Sequence, residues 1–156
     1  MNLMMPASSL EIVAGAVELE ALSEELDVAM AQAIGARSNR LSAAAYGAAY
    51  RKVGRRADRE RQIDLIEDLG EALDHLVRRP FVGTALLVGR APAKLIGLGE
   101  VHDFLLRGYN AFTKMGDARE FLGLIVGRER KLVDALFAGD DGLLGNRQAG
   151  TASSAS

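Results

Sequence analysis

Residues 98–116 read LGEVHDFLLRGYNAFTKMG and residues 117–137 read DAREFLGLIVGRERKLVDALF. This stretch predicts two antiparallel helices, near Pro92–Met115 and Asp117–Phe137. In the first, Glu100, Asp103, Arg107, Asn110 and Lys114 recur at alternating steps of three and four, one narrow polar stripe on a helix. Leu98, Val101, Phe104, Leu105, Ala111, Phe112 and Met115 occupy most of the remaining surface, so this helix is expected to be the central one. Gly116 suits a left-handed helix end, and Asp117, with Glu120 three positions on, suits the cap of the next helix. Phe104, Leu105, Phe112, Phe121 and Ile125 are the expected core of the hairpin.

Working outward, Ser8 and Glu11 form a capping box before a periodic segment from Leu10 to Ile34 that stops at Gly35. A short basic connection, Ala36 to Leu41, leads to Ser42, which should cap a second helix ending at Val53. Tyr46, Tyr50 and Val53 mark the inner face of that helix. Gln62, Ile63, Ile66, Leu69, Leu73, Leu76 and Val77 mark the next. Carried on at about 100° per residue, the two faces oppose each other, so a break is expected near Gly54, with Asp58 as the new cap. Pro80 suits the first turn of a fourth helix. Residues 81–89, FVGTALLVG, are apolar on nearly every side and should be deeply buried. No period-two alternation persists anywhere. The expected fold is all-α: a single-domain bundle of about six helices over residues 1–139. Residues 140–156 lack period and should form a mobile tail whose removal changes the melting temperature little.

Composition bounds the chemistry. The chain has 156 residues, 49% hydrophobic and 26% charged, which suits one soluble domain. It has no cysteine, so disulfides, thiolate metal sites and a cysteine nucleophile are excluded. No apolar run approaches the roughly 18–20 residues of a membrane span. MNLMMPASSLEIV has neither the basic region nor the apolar run of a signal peptide, so the cytoplasm is the expected location. The net charge of −2 is unevenly spread. Residues 1–35 carry Glu11, Glu18, Glu20, Glu24, Glu25 and Asp27 and no base, whereas residues 36–61 carry eight bases against Asp58 and Glu60. Either acidic and basic helices neutralise one another, or an outward basic patch meets phosphate.

Several stretches are similar to one family. GLGEVHDFLLRGYNAFTKMGDAREFLGLIVGRER resembles the carboxy-terminal part of the bacterial FFLEELY-motif proteins, and LEALSEELDVAMA, AYRKVGRRADRERQIDLI and LDHLVRRP resemble upstream parts in the same order. The resemblance covers most of residues 10–137 and implies a helical fold without implying a reaction. The naming motif belongs to a segment amino-terminal to this region and is absent. The expectation is therefore a start internal to a longer reading frame or a shortened family member.

Candidate functional side chains are few. No GxGxxG, P-loop, GxSxG or HExxH occurs, and two histidines cannot build an imidazole-rich metal site, so no catalytic residue, metal or cofactor is assigned. His75 should be solvated among Asp64, Asp68 and Glu71. His102 borders an apolar stripe, where it serves either as a structural hydrogen-bonding group or in ligand binding or proton transfer. Glu129 falls within the stripe Ala118, Phe121, Leu122, Ile125, Leu132, Val133 and Leu136, so it should be substantially buried and must find a partner. Arg59, on the inner face one turn before Ile63, is the favoured partner, then His102. This constellation is either a buried structural pair that fixes helix register or a polar pocket for a small ligand. Gly123 and Gly127 should permit close helix approach, within the bundle or in a dimer.

The reading therefore favours a non-catalytic protein-interaction or self-association module over an enzyme. A ligand-binding bundle or enzyme using Glu129, Arg59 and His102 is the alternative. A nucleic-acid-associated protein using the Arg51–Arg61 cluster ranks third, and no membrane partner is expected.

Overall fold

A computed structural model describes residues 7–35 and 41–145, with side chains from residue 10 onward. It is all helical: α1 (Ala7–Ile34), α2 (Ala43–Val53), α3 (Arg56–Leu76), α4 (Val82–Val88), α5 (Arg90–Leu95), α6 (Gly99–Met115) and α7 (Arg119–Ala138), followed by the single turn α8 over residues 142–145. These are eight helices among the described residues, not about six. The fifth expected helix divides at Gly97, whose φ of 82° no regular helix tolerates. Part of the expected tail forms α8. The connection 36–40 and residues 146–156 lie outside the described residues, as does the side chain of Ser8.

Helix ends follow local chemistry. The Ser42 hydroxyl accepts the Ala45 N–H at 3.1 Å, capping α2. Gly35, Gly54 and Gly116 stop α1, α2 and α6 at positive φ. The expected break lies between α2 and α3, where Gly54 and Arg55 both adopt positive φ. Asp58 is not its cap. The helix already begins at Arg56, and the Asp58 carboxylate accepts from Arg55 Nε at 2.6 Å. Asp117 does cap α7, accepting the Arg119 N–H at 3.0 Å.

The helices gather into two compact units: residues 1–21 with 64–126, and residues 22–63 with 127–156. The helices α1, α3 and α7 contribute to both.

The first unit buries Ala16, Leu19, Leu65, Leu69, Leu73, Val101, Leu105, Ala118, Leu122 and Val126. Of the hairpin core expected there, Leu105 is buried and Phe112 and Ile125 are half-buried, but Phe104 and Phe121 are exposed. A narrow polar stripe limits where solvent can be tolerated. It does not supply neighbours for every apolar position. The same reason corrects the segment 81–89, which is not deeply buried. Val82, Gly83, Leu86 and Gly89 share one half-buried face of α4, and a Cβ on Gly83 would meet the Tyr109 ring of α6. Phe81, Leu87 and Val88 are exposed.

The second unit is centred on Met30, Ala49, Tyr50 and Leu136, with Tyr46, Val53, Leu132, Phe137 and Leu144 packed around them. Residues 140–145 belong to this unit and are not a free tail. Arg51 Nη1 bonds Asp141 Oδ1 at 2.8 Å and donates to the Leu136 carbonyl at 2.9 Å, and Leu144 packs on the cluster. Gly47 admits this contact, since a Cβ there would fall 2.8 Å from Asp141 Oδ2 and closer still to Oδ1.

Candidate functional site

In the second unit, α2, α3 and α7 border a partly open cavity of about 420 Å³. Its apolar lining includes Leu41, Ile63, Leu132, Val133, Leu136 and Leu144, and its polar lining includes Tyr46, Tyr50, Arg59, Gln62 and Glu129. Helical phase puts these groups together. Tyr46 and Tyr50 are one turn apart on α2, Arg59 and Ile63 one turn apart on α3, and Glu129, Leu132, Val133 and Leu136 share a face of α7. Glu129 is half-buried against this cavity, as its position within the apolar stripe requires.

Arg59 also lies against an aromatic ring. Its guanidinium carbon lies 4.5 Å from the centroid of the Tyr50 ring, a cation–π arrangement. Its Nε and Nη2 are shut off from solvent and have no hydrogen-bond partner among the described residues. Arginine cannot relieve this by losing its proton. A buried N–H without an acceptor costs about 1–3 kcal/mol, and more for a charged group. Burial raises the Tyr50 pKa above its ordinary value; the Arg59 charge opposes the rise, and Tyr46 and Glu129 add to it.

A family model described as a domain of unknown function, DUF8198, matches residues 1–142. The chain belongs to this family. Searches of curated proteins and of solved structures return no match.

Elsewhere in this DUF8198 chain the expected site residues part company. His102 does not line the cavity. It belongs to the first unit, where a Cβ on Gly89 would lie 3.5 Å from its Nε2. Both ring nitrogens are buried without a partner, so the expected structural hydrogen bond to a carbonyl or carboxylate is not made among the described residues.

The basic cluster is largely matched by acids. Arg51 pairs with Asp141, Arg55 with Glu25 and Asp58, and Arg56 with Glu60 and Asp134, while Arg56 also lies over the Phe137 ring. The Arg51 hydrogen bond holds the Asp141 carboxyl below its ordinary pKa. Gly123 and Gly127 meet no atom within 4 Å of a built Cβ, so neither serves a close helix approach among the described residues.

Sequence reasoning missed Asp74, counting it only in an acidic stretch. It is 3% exposed, accepts the Ala118 N–H at the start of α7 at 3.3 Å, and pairs with Arg78 at 2.9 Å. Gly70, one turn earlier on α3, was the available signal, because a glycine inside a helix marks where another element comes close.

The first unit also carries an apolar surface on α4 and α5. Phe81, Leu87, Val88, Leu95 and Ile96 are between 66% and 88% exposed. Over residues 77–99 the chain has Arg78, Arg79, Arg90 and Lys94 and no acid. Arg78 is taken up by Asp74 and Arg90 by Asp103, at 3.3 Å, while Arg79 and Lys94 are exposed. No helix of the described residues is long and apolar enough to cross a membrane.

Proposed function

We propose that this protein is a non-catalytic interaction module that docks another polypeptide against α4 and α5. One observation carries the reading: five large apolar side chains within sixteen residues, Phe81 to Ile96, stand in solvent. Monomeric proteins rarely expose contiguous apolar surface beyond a few hundred Å², and larger patches mark interaction sites. The exposed Arg79 and Lys94 favour a partner whose surface is apolar and acidic. They disfavour two copies of the same face meeting, since like charges would then be brought together. In this reading the protein works in the cytoplasm. The engagement of Arg51, Arg55 and Arg56 by carboxylates weighs against a nucleic-acid role for the basic cluster.

The test is native mass spectrometry of the protein purified from its host, beside the double variant Leu87→Asp/Leu95→Asp. Both positions are exposed, so the variant should keep the native circular dichroism spectrum and melting temperature. The wild type should carry a second chain that the variant loses. Strict monomers with nothing retained in both samples would overturn the reading. A homodimer lost in the variant would replace the acidic partner with a second copy.

A further inference from the structure

The outward face of α7 is distinct from the α4–α5 surface and carries its own chemistry. Leu124 is 61% exposed and Phe121 43%, and Glu120, Leu124 and Arg128 follow one another at steps of four. From this face we infer that two copies of the chain pair α7 against α7, antiparallel, about a two-fold axis at Leu124. The order of charges selects a second copy as the occupant. Glu120 and Arg128 stand four residues to either side of Leu124, about 6 Å along the helix. Both are exposed, and neither forms an ion pair among the described residues. An antiparallel two-fold brings Glu120 of each copy level with Arg128 of the other, and the symmetry makes that contact twice. A parallel pairing would instead set Glu120 against Glu120 and Arg128 against Arg128, like charge on like.

The shape of the face agrees with its charge. Phe121 and Gly127 also stand at equal distances from Leu124, so Phe121 of each copy comes level with Gly127 of the other. A Cβ on Gly127 would meet nothing within 4 Å, and the missing side chain leaves room for the ring. The two Leu124 side chains meet at the axis and leave water together. One turn farther out, Lys131 comes level with Asp117, whose carboxylate Arg119 already holds at 3.0 Å, so Glu120 and Arg128 carry the pairing. Except for Asp117, these residues lie on the single helix Arg119–Ala138, and helix geometry alone fixes their spacing. Gly123 lies about 100° around the helix from Leu124, at the rim of the contact. One helix face is a small interface, so the pairing is weak and screened by salt.

The test is sedimentation equilibrium of the purified full chain at low salt, over roughly 10 µM to 1 mM. The wild type should rise toward twice its monomer mass, and Leu124→Asp should stay at the monomer mass. Glu120→Arg and Arg128→Glu should each weaken association by about tenfold or more, since two attractions become two repulsions. An equimolar mixture of these two variants should restore a dimer, and so should the double variant Glu120→Arg/Arg128→Glu. The substituted positions are exposed, so every variant should keep the native circular dichroism spectrum. A wild type that stays monomeric at the highest concentration, or a dimer that Leu124→Asp leaves intact, would overturn the inference. So would a mixture no more associated than its two components, a comparison that stands even if Leu124→Asp folds poorly. The dimer should persist in Leu87→Asp/Leu95→Asp. Its loss there would move the contact to α4 and α5 and overturn the α7 pairing, whereas failure of the α7 pairing leaves the reading of α4 and α5 untouched.

Discussion

Gly70 and Gly123 are both helical glycines, and the same substitution should move stability in opposite directions at the two. A Cβ on Gly70 would lie 2.9 Å from Leu122 Cδ1, closer still to Cδ2, and 3.2 Å from Cγ. Leu122 is only 7% exposed, so its whole isobutyl group must shift inside a packed core. Overpacking of this kind costs about 1–3 kcal/mol, and alanine returns about 1 kcal/mol of helix propensity. Because Cγ is crowded as well as the methyls, the cost should fall in the upper part of its range, leaving Gly70→Ala destabilised by about 1–2 kcal/mol. Gly123 meets nothing within 4 Å and is exposed, so Gly123→Ala should gain roughly 0.5–1 kcal/mol. Urea unfolding followed by far-UV circular dichroism should show the midpoint falling for the first variant and rising for the second, with unchanged slopes. Leu122→Ala alone should cost about 2–5 kcal/mol, but in that background Gly70→Ala should become neutral or stabilising. Equal midpoints for Gly70→Ala and Gly123→Ala, or additive effects in the double variant, would refute the close approach of α3 and α7 at this point.

Ending the chain after Gly139 removes Asp141 and Leu144. Leu144 is half-buried on the second unit's core, so a loss of roughly 1 kcal/mol, or about 2–4 °C in Tm, is expected by calorimetry. An unchanged Tm would mean that α8 adds nothing. Asp117 is held at about 2, from an ordinary 3.8, chiefly by the Arg119 side chain and then by its backbone N–H. Since the folded value is the lower one, its stabilising effect is complete above pH 3.8 and fades as pH falls through about 2. An NMR titration should place the Asp117 midpoint near 2, and Arg119→Ala should lift it toward 3.8; a midpoint already at 3.8 in the native chain would remove the bond.

Helix ends and helix phase were legible in the sequence because both are settled within about one turn of chain. Ser42 reaches the N–H three residues away, Gly35, Gly54 and Gly116 stop their helices by their own backbone freedom, and opposing apolar faces before and after Gly54 demand a break. Phase also placed Glu129 and Arg59 on one cavity, since each is carried inward by the apolar neighbours on its own helix. Which groups then meet depends on residues far along the chain. Asp74 receives the N–H of Ala118, and Arg51 grips Asp141, across separations of 44 and 90 residues that no periodicity encodes. Arg59 lies over Tyr50 with one edge unpaired because the packing of α2 against α3 sets that distance, not the pattern of either helix. The apolar run 81–96 shows the same division most plainly. Its composition dictates that the segment avoid water, but only the tertiary structure decides whether this chain has surface left to cover it, and Phe81, Leu87, Val88, Leu95 and Ile96 remain exposed because α6 covers one face alone.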